Sequence, residues 1–434
     1  MVVYLDHAAG SPMPASIRGA YLSALEHVGN PSSIHSAGQA ARGMLEDARE
    51  RLAATLGVDA VEVVFTGGGT EAVNLGVKGL FWQRQGEAAA DRPAAPAAPA
   101  ASDPAARPRS RILVPRAEHH ATLDAVEWLA AHEGAVLRWL EVDEVGALRL
   151  DDLEAALSEG DGPDDVALLS MLAANNEVGT LQPVAEAAAL AAAHGVPVHV
   201  DAIAAYGQVP LAPLPAGVSA VSLSAHKLGG PVGVGALVLR RGADVVPLLH
   251  GGSQQRGRSG TMDAAGAAAF AAASDEAHAA IAERAARKAQ LRDRLAAGIL
   301  AALPQVELRG AAGRAAVARA AGRDADADVW AARALPGTLH LTVPGAEGDS
   351  LLMLLDLAGF AVSTGSACQA GVPEPSHVLL AMGLDEQAAR GALRVSLGPE
   401  TTEAEVEALL EALPPVVERA TSAGLAARTP TLGR

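Results

Sequence analysis

Residues 218–240 read VSAVSLSAHKLGGPVGVGALVLR. An apolar run from Val218 to Ser224 ends in Ala-His-Lys, a glycine-rich turn follows, and a second apolar run spans Val234 to Arg240. Nearly continuous apolar runs of this length mark strands buried on both faces of a largely parallel sheet. Working outward, the pattern recurs at Glu62 to Thr66, Arg111 to Pro115, Val136 to Val142, Val166 to Leu172 and Pro197 to Asp201. Helical stretches at Glu71 to Gln85, Thr122 to His132, Asp151 to Ser158 and Val184 to His194 separate them. This alternation predicts an α/β, doubly wound domain.

Beyond Met262 the texture changes to a long helical stretch with dense charge from Glu283 to Arg294, followed by strands near Thr338 to Val343, Ala361 to Thr364 and Ala392 to Leu397. A smaller α+β domain joined to the first by a long helix is expected. Residues 86–110 are Pro/Ala-rich without apolar periodicity and read as a mobile surface insertion. Arg309 to Asp328 reads either as a weak helix or as a second loop, and the terminal RTPTLGR as frayed.

Length and charge exclude several classes. The chain has 434 residues and 33 Lys+Arg against 50 Asp+Glu, a net charge of −17, which argues against direct nucleic-acid binding. One cysteine, Cys368, excludes an intramolecular disulfide or a Cys-X-X-Cys metal site, so no metal is expected. The N-terminus is too polar for a signal peptide and no apolar stretch reaches about 18 residues, so a cytoplasmic protein without membrane attachment is expected.

Lysine is scarce: only Lys78, Lys227 and Lys288 occur among many arginines. A guanidinium cannot form a Schiff base, whereas a desolvated lysine can. Lys78 and Lys288 read as solvated helix charges. Lys227 stands at a strand's C-terminal end beside Ser224 and His226, the edge where open α/β sheets bind ligands. The same edge should carry His119 and His120, Asn175 and Asn176, and Asp201, whose burial calls for a cationic partner. The glycines before Thr70, with Gly69, either cradle an anion at a helix start or form a plain turn capped by Thr70. A strand-end lysine, a facing aspartate and a phosphate nest together are what pyridoxal phosphate requires. Cys368 lies in a stretch without helix or strand period, read as a mobile exposed loop whose thiol could act as a nucleophile.

YLDHAAGSPM, GNPSSIH, VVFTGGGTEAVNLGVKG, AEHHATL, NNEVGTLQPV, HVDA, SAHKLGGPVGVGAL, RSGT, STGSACQ and LRVSLG together resemble the cysteine desulfurases. These are pyridoxal 5'-phosphate enzymes of the class V aminotransferase group with the type I fold. The resemblance implies a large cofactor-binding domain, 15–262, with a mainly parallel seven-stranded sheet. A small domain, 1–14 with 263–434, would carry the Cys368 loop. It implies Lys227 as the Schiff-base lysine, Asp201 on the pyridinium nitrogen, His119 stacked on the ring and relaying protons, and Asn176 on the ring hydroxyl and substrate. Gly69, Thr70, Ser224 and His226 would hold the phosphate, with Thr261 supplied across a homodimer. Arg394 would clamp the substrate carboxylate, and Cys368 would accept sulfur from L-cysteine and hand it to an acceptor protein.

Two departures stand out. Ala204 occupies the position where the family usually has a glutamine bonded to the ring hydroxyl, and GGSQQRGRSGT is one residue short. The alternatives are a selenocysteine lyase or another lyase or transaminase of the same fold, which fold alone does not exclude, and a degenerate desulfurase kept as a binding or assembly partner.

Overall fold

The computed structural model describes residues 2–85, 109–160, 162–365 and 374–423. A seven-stranded sheet runs in the spatial order Val63–Thr66, Gly235–Leu239, Val218–Ser224, Val198–Asp201, Val166–Leu172, Arg111–Pro115 and Val136–Leu140. All neighbours are parallel except Gly235–Leu239, which runs against both of its neighbours. Helices cover both faces. One core gathers Leu45, Leu52, Met171, Val200 and Phe270, and the other Val73, Phe81, Ile112, Val126 and Leu237. With both faces buried, the strands are written mostly in apolar residues, which is why they were legible.

The sheet's first and second directions of growth diverge at Arg111–Pro115, flanked by Val136–Leu140 on one side and Val166–Leu172 on the other. That switch point opens a crevice at the C-terminal strand ends. A second core, around Leu295, Ile299, Leu339, Leu351, Leu393 and Leu409, lies under a three-stranded antiparallel sheet of Ala392–Ser396, Thr338–Thr342 and Glu307–Arg309. The segment from Arg309 to Asp328, ambiguous in sequence, is the end of a strand followed by the helix Gly310–Ala320 and the start of Asp324–Ala331. Its alanines 311, 312, 315, 316 and 318 are buried, because small side chains let that helix pack closely.

The chain's beginning joins this second sheet region. Val3–Tyr4 pairs in parallel with Phe360–Ala361, and Ser396 donates its N–H to the Leu5 carbonyl at 2.8 Å. Asp6, Ala8 and Ala9 are thereby carried to the crevice.

Beneath it, His199 bridges Ser170 Oγ at 2.9 Å through Nδ1 and Ser222 Oγ at 2.8 Å through Nε2. Gly76 leaves room for that ring: a Cβ there would stand 2.4 Å from His199 Cδ2. Because the imidazole is bonded at both ends it cannot step aside, so Gly76→Ala should cost about 1–3 kcal/mol of overpacking. That cost works against the gain of up to about 1 kcal/mol from alanine's helix propensity. Gly43, where a Cβ would meet nothing within 4 Å, is the control. The urea midpoint should fall for Gly76→Ala and rise for Gly43→Ala. Among the described residues no helix is long and apolar enough to cross a membrane.

Candidate active site

Gly69, Thr70, His119, Asn176, Asp201, His226, Lys227 and Arg394 line one cavity of about 350 Å³ at the C-terminal edge of the large sheet. A larger groove of about 960 Å³, around Asp59, Arg84 and Arg240 at the opposite end of the strands, contains none of them. Ser224 is buried just behind His226 and shares a 2.7 Å hydrogen bond with its Nδ1. Thr261 is exposed and outside the cavity of its own chain, and Cys368 lies outside the described residues, as do residues 86–108.

Lys227 sits in a tight turn, Ala225–Leu228, that follows Val218–Ser224 and is closed by Gly229 in the left-handed region. Its Nζ donates to the carbonyls of Ala8 at 2.6 Å and Ala9 at 3.0 Å. Burial, reinforced by the charge of Arg394, lowers its pKa to about 8, while Asp6 and Asp201 oppose the shift. Lys78 lies 4.2 Å from the Trp128 ring centre. The expectation of a solvated Lys288 is wrong: only 5% of the residue is exposed, and its amine is bonded to Gln208. The helix Ile281–Ala302 turns that position inward despite its charged sequence.

Asp201 is 2% exposed and ends its strand with Oδ1 accepting the Ile203 N–H at 2.9 Å. Burial raises its pKa to about 6, held from going further by that hydrogen bond and by Lys227. A second enclosed carboxyl, Glu118, accepts the N–H of Leu172, the residue paired with Asp201 across the strands. Burial pushes Glu118 well up, with Asp201 adding to the shift.

His119 caps the helix His120–Glu133, its Nδ1 accepting the Ala121 N–H at 3.1 Å. Burial, then Lys227 and the neighbouring histidines, push it down to about 4, so it does not titrate near neutrality as an ordinary imidazole would. His226 is likewise lowered to about 4, by burial and Lys227. The two asparagines divide. Asn175 is fully buried and committed to the backbone at Ala117, Glu177 and Val178, so it offers nothing to a ligand, whereas Asn176 lines the cavity.

Thr70 is not the helix cap. The helix starts at Gly69 with Gly68 as its cap, at φ +140°, leaving Thr70 on the first turn at the cavity wall. A Cβ on Gly69 would come within 2.4 Å of Ile203 Cδ1 and 3.1 Å of Ser224 Cβ, so only glycine lets the helix start approach the strand ends this closely.

Arg394 stands in the middle of Ala392–Ser396 and is 4% exposed. One Nη donates to the Asn176 carbonyl and the other to the Asp6 carboxylate, both at 2.8 Å. Asp6 and the Ala8 and Ala9 carbonyls had no assigned role in the sequence reading. The need of buried Arg394 for an anion was the signal that could have found Asp6.

The aminotransferase class-V family model matches residues 3–91 and 93–409, and the chain belongs to that family. It is 47% identical over 428 residues to the IscS-like cysteine desulfurase of Mycobacterium tuberculosis, covering 98% of this chain and 99% of the relative. A solved NifS-like protein superposes with a TM-score of 0.79 at 31% identity, covering 96% of this chain and all of that one. A second structure, SspA in complex with cysteine, gives 0.69 at 26% identity, over 92% of this chain and all of that one. Within the class V family the chain is thus placed among the cysteine desulfurases.

Enzymes of this family use pyridoxal phosphate, and the cavity's residues fit it. Lys227 is a desolvated primary amine. Asp201 is a buried carboxyl with no cation at ion-pair distance among the described residues, which a protonated ring nitrogen would supply. The glycine-led helix start at Gly69 offers free N–H groups to a phosphate.

Proposed function

We propose that the chain converts L-cysteine to L-alanine and takes the sulfur onto Cys368 as a persulfide, for transfer to an acceptor protein of iron–sulfur assembly or thiolation. The observation that carries this reading is Lys227, an amine lowered to about 8, in one cavity with Asp201 and Arg394. The reaction balances without an external oxidant: the substrate's C–S bond breaks, an S–S bond to Cys368 forms, and the thiol's proton is matched by one gained at the product carbon.

Pyridoxal phosphate, when bound, supplies the electron sink that lets the substrate's Cα–H bond break. Lys227 would hold the cofactor through its aldehyde and would take the substrate's Cα proton on Nζ. Asp201 would keep the ring nitrogen protonated. His119 would pack against the ring. With Nδ1 accepting the Ala121 N–H, its relay of protons runs through Nε2. Asn176 would bond the ring hydroxyl and the substrate. Gly69, Thr70, Ser224 and His226 would hold the phosphate, joined by Thr261 of the partner subunit in a homodimer; the enzyme would work in the cytoplasm. Arg394 binds the substrate carboxylate. Cys368 attacks the substrate sulfur as its thiolate; an ordinary thiol, with a pKa near ~8.5, is only slightly ionised at neutral pH.

The test is the yield of alanine and sulfide from L-cysteine, with and without reductant, in wild type and Cys368→Ser. Sulfide from the variant should fall at least about 10²-fold while the visible absorbance of bound cofactor is retained. Undiminished sulfide would favour a lyase that does not need the loop thiol. A protein that stays colourless with added pyridoxal phosphate would favour the degenerate binding partner.

A further inference from the structure

His340, in the centre of the three-stranded sheet, is fully buried and has no role above. Neither of its ring nitrogens has a hydrogen-bond partner. In the antiparallel ladder it stands directly opposite Arg309 on one side and Arg394 on the other. Directly opposed residues share a sheet face, with Cβ atoms about 4.5–5.5 Å apart. Arg309 is provided for, its Nε donating to Thr342 Oγ1 at 2.9 Å and its fork paired with Glu307. Arg394 is not: both Nη atoms are engaged, but Nε is buried without an acceptor.

One sheet face thus carries an N–H that lacks an acceptor beside a ring that lacks a donor. Unpaired buried polar groups are costly and few in native interiors. Burial and the flanking guanidiniums Arg394 and Arg309 lower the His340 imidazole to about 3. The ring is therefore neutral, and a neutral imidazole keeps one acceptor nitrogen.

We propose that His340 is the positioning residue for Arg394, accepting its Nε–H directly after a small ring rotation or through one buried water, and so fixing the plane of the guanidinium. Nε is then closed to the substrate, and the carboxylate meets the remaining Nη hydrogens at the end of the fork. This inference rests on the assignment of Arg394 to the substrate carboxylate.

The test uses the cofactor-loaded enzyme with His340→Leu, His340→Asn and Arg394→Ala. The amide oxygen of the asparagine variant can still accept, whereas leucine cannot. L-Alanine and ethylamine, which lacks the carboxylate, are titrated against the visible band, alongside KM and kcat for L-cysteine. His340→Leu should weaken L-alanine binding and raise KM by about tenfold, equivalent to ~1.4 kcal/mol. Its kcat should stay within about twofold and its affinity for ethylamine should be unchanged, and His340→Asn should recover most of the loss. If His340→Leu does not accumulate as folded protein, His340→Val, a better strand former, takes its place. Equal weakening of both amines, an unchanged affinity for L-alanine, or an asparagine variant no better than leucine overturns the proposal. If Arg394→Ala itself fails to discriminate L-alanine from ethylamine, the substrate assignment of Arg394 falls instead.

Discussion

Lys227→Ala protein, reconstituted with pyridoxal phosphate and dialysed, should emerge colourless and turn over L-cysteine about 10³–10⁴-fold more slowly than wild type. On the proposed assignment two functions are removed together: the amine that would bond the cofactor's aldehyde, and the base that would take the substrate's α-proton, a contribution typically worth 10²–10⁴. Lys227→Arg should fare no better, because a guanidinium keeps the charge but cannot form the bond. The informative control is Lys288, the other buried lysine, whose pKa burial and Arg284 also lower to about 8. Desolvation by itself would make the two equivalent. They differ in position, since Lys227 opens onto the cavity shared with Asp201 while the Lys288 amine is bonded to Gln208 outside it. Lys288→Gln should therefore remain yellow. Absorbance near the cofactor band, read before and after dialysis, checks all three variants, and a yellow Lys227→Ala protein that survives dialysis would refute the assignment of Lys227.

The contrast between the two lysines shows where the sequence could be read and where it could not. Strands enclosed on both faces are predominantly apolar, so Arg111–Pro115, Val166–Leu172 and Val218–Ser224 stood out residue for residue. Parallel strands end on one edge, so the polar residues closing them, His119, Asn176, Asp201 and Lys227, converge without further information. Strand limits followed local hydrogen bonds that composition does not reveal. Glu141 leaves the ladder because its N–H bonds to Asp152, and Glu62 because its carboxylate closes a turn back onto Asp59. The strand expected over Ala361 to Thr364 is Phe360–Ala361, set by pairing with the distant Val3–Tyr4. Long-range pairing also concealed Asp6, whose partner Arg394 is 388 residues away. Lys288 was misread because its charge was taken as a sign of exposure, although it stands one turn before Leu291, in line with Leu295 and Ile299 on the buried face of its helix.

Asp201→Asn should change sign with cofactor. The folded carboxyl has a pKa of about 6 against 3.8 for the ordinary value, so between those limits the folded state holds the proton more tightly than the unfolded state. Stability from this group therefore falls as pH rises through that window. Above it the fold carries the full cost of a buried charge, about 3 kcal/mol for a shift of roughly two units. Cofactor-free Asp201→Asn should accordingly melt roughly 3 °C higher than wild type at pH 7.5, with the advantage gone below about pH 4, where wild-type Asp201 is protonated in both states. Asparagine can still accept the Ile203 N–H, so the local turn is kept. With pyridoxal phosphate the order reverses. On the proposed assignment the carboxylate then gains a cation where none stands at ion-pair distance among the described residues, whereas the amide could not hold the ring nitrogen protonated, and turnover should drop about 10²–10³-fold. Thermal scans with and without cofactor at both pH values measure the reversal. A cofactor-free variant less stable than wild type at pH 7.5 would mean that Asp201 already has its counter-charge within the protein and does not await one from the ligand.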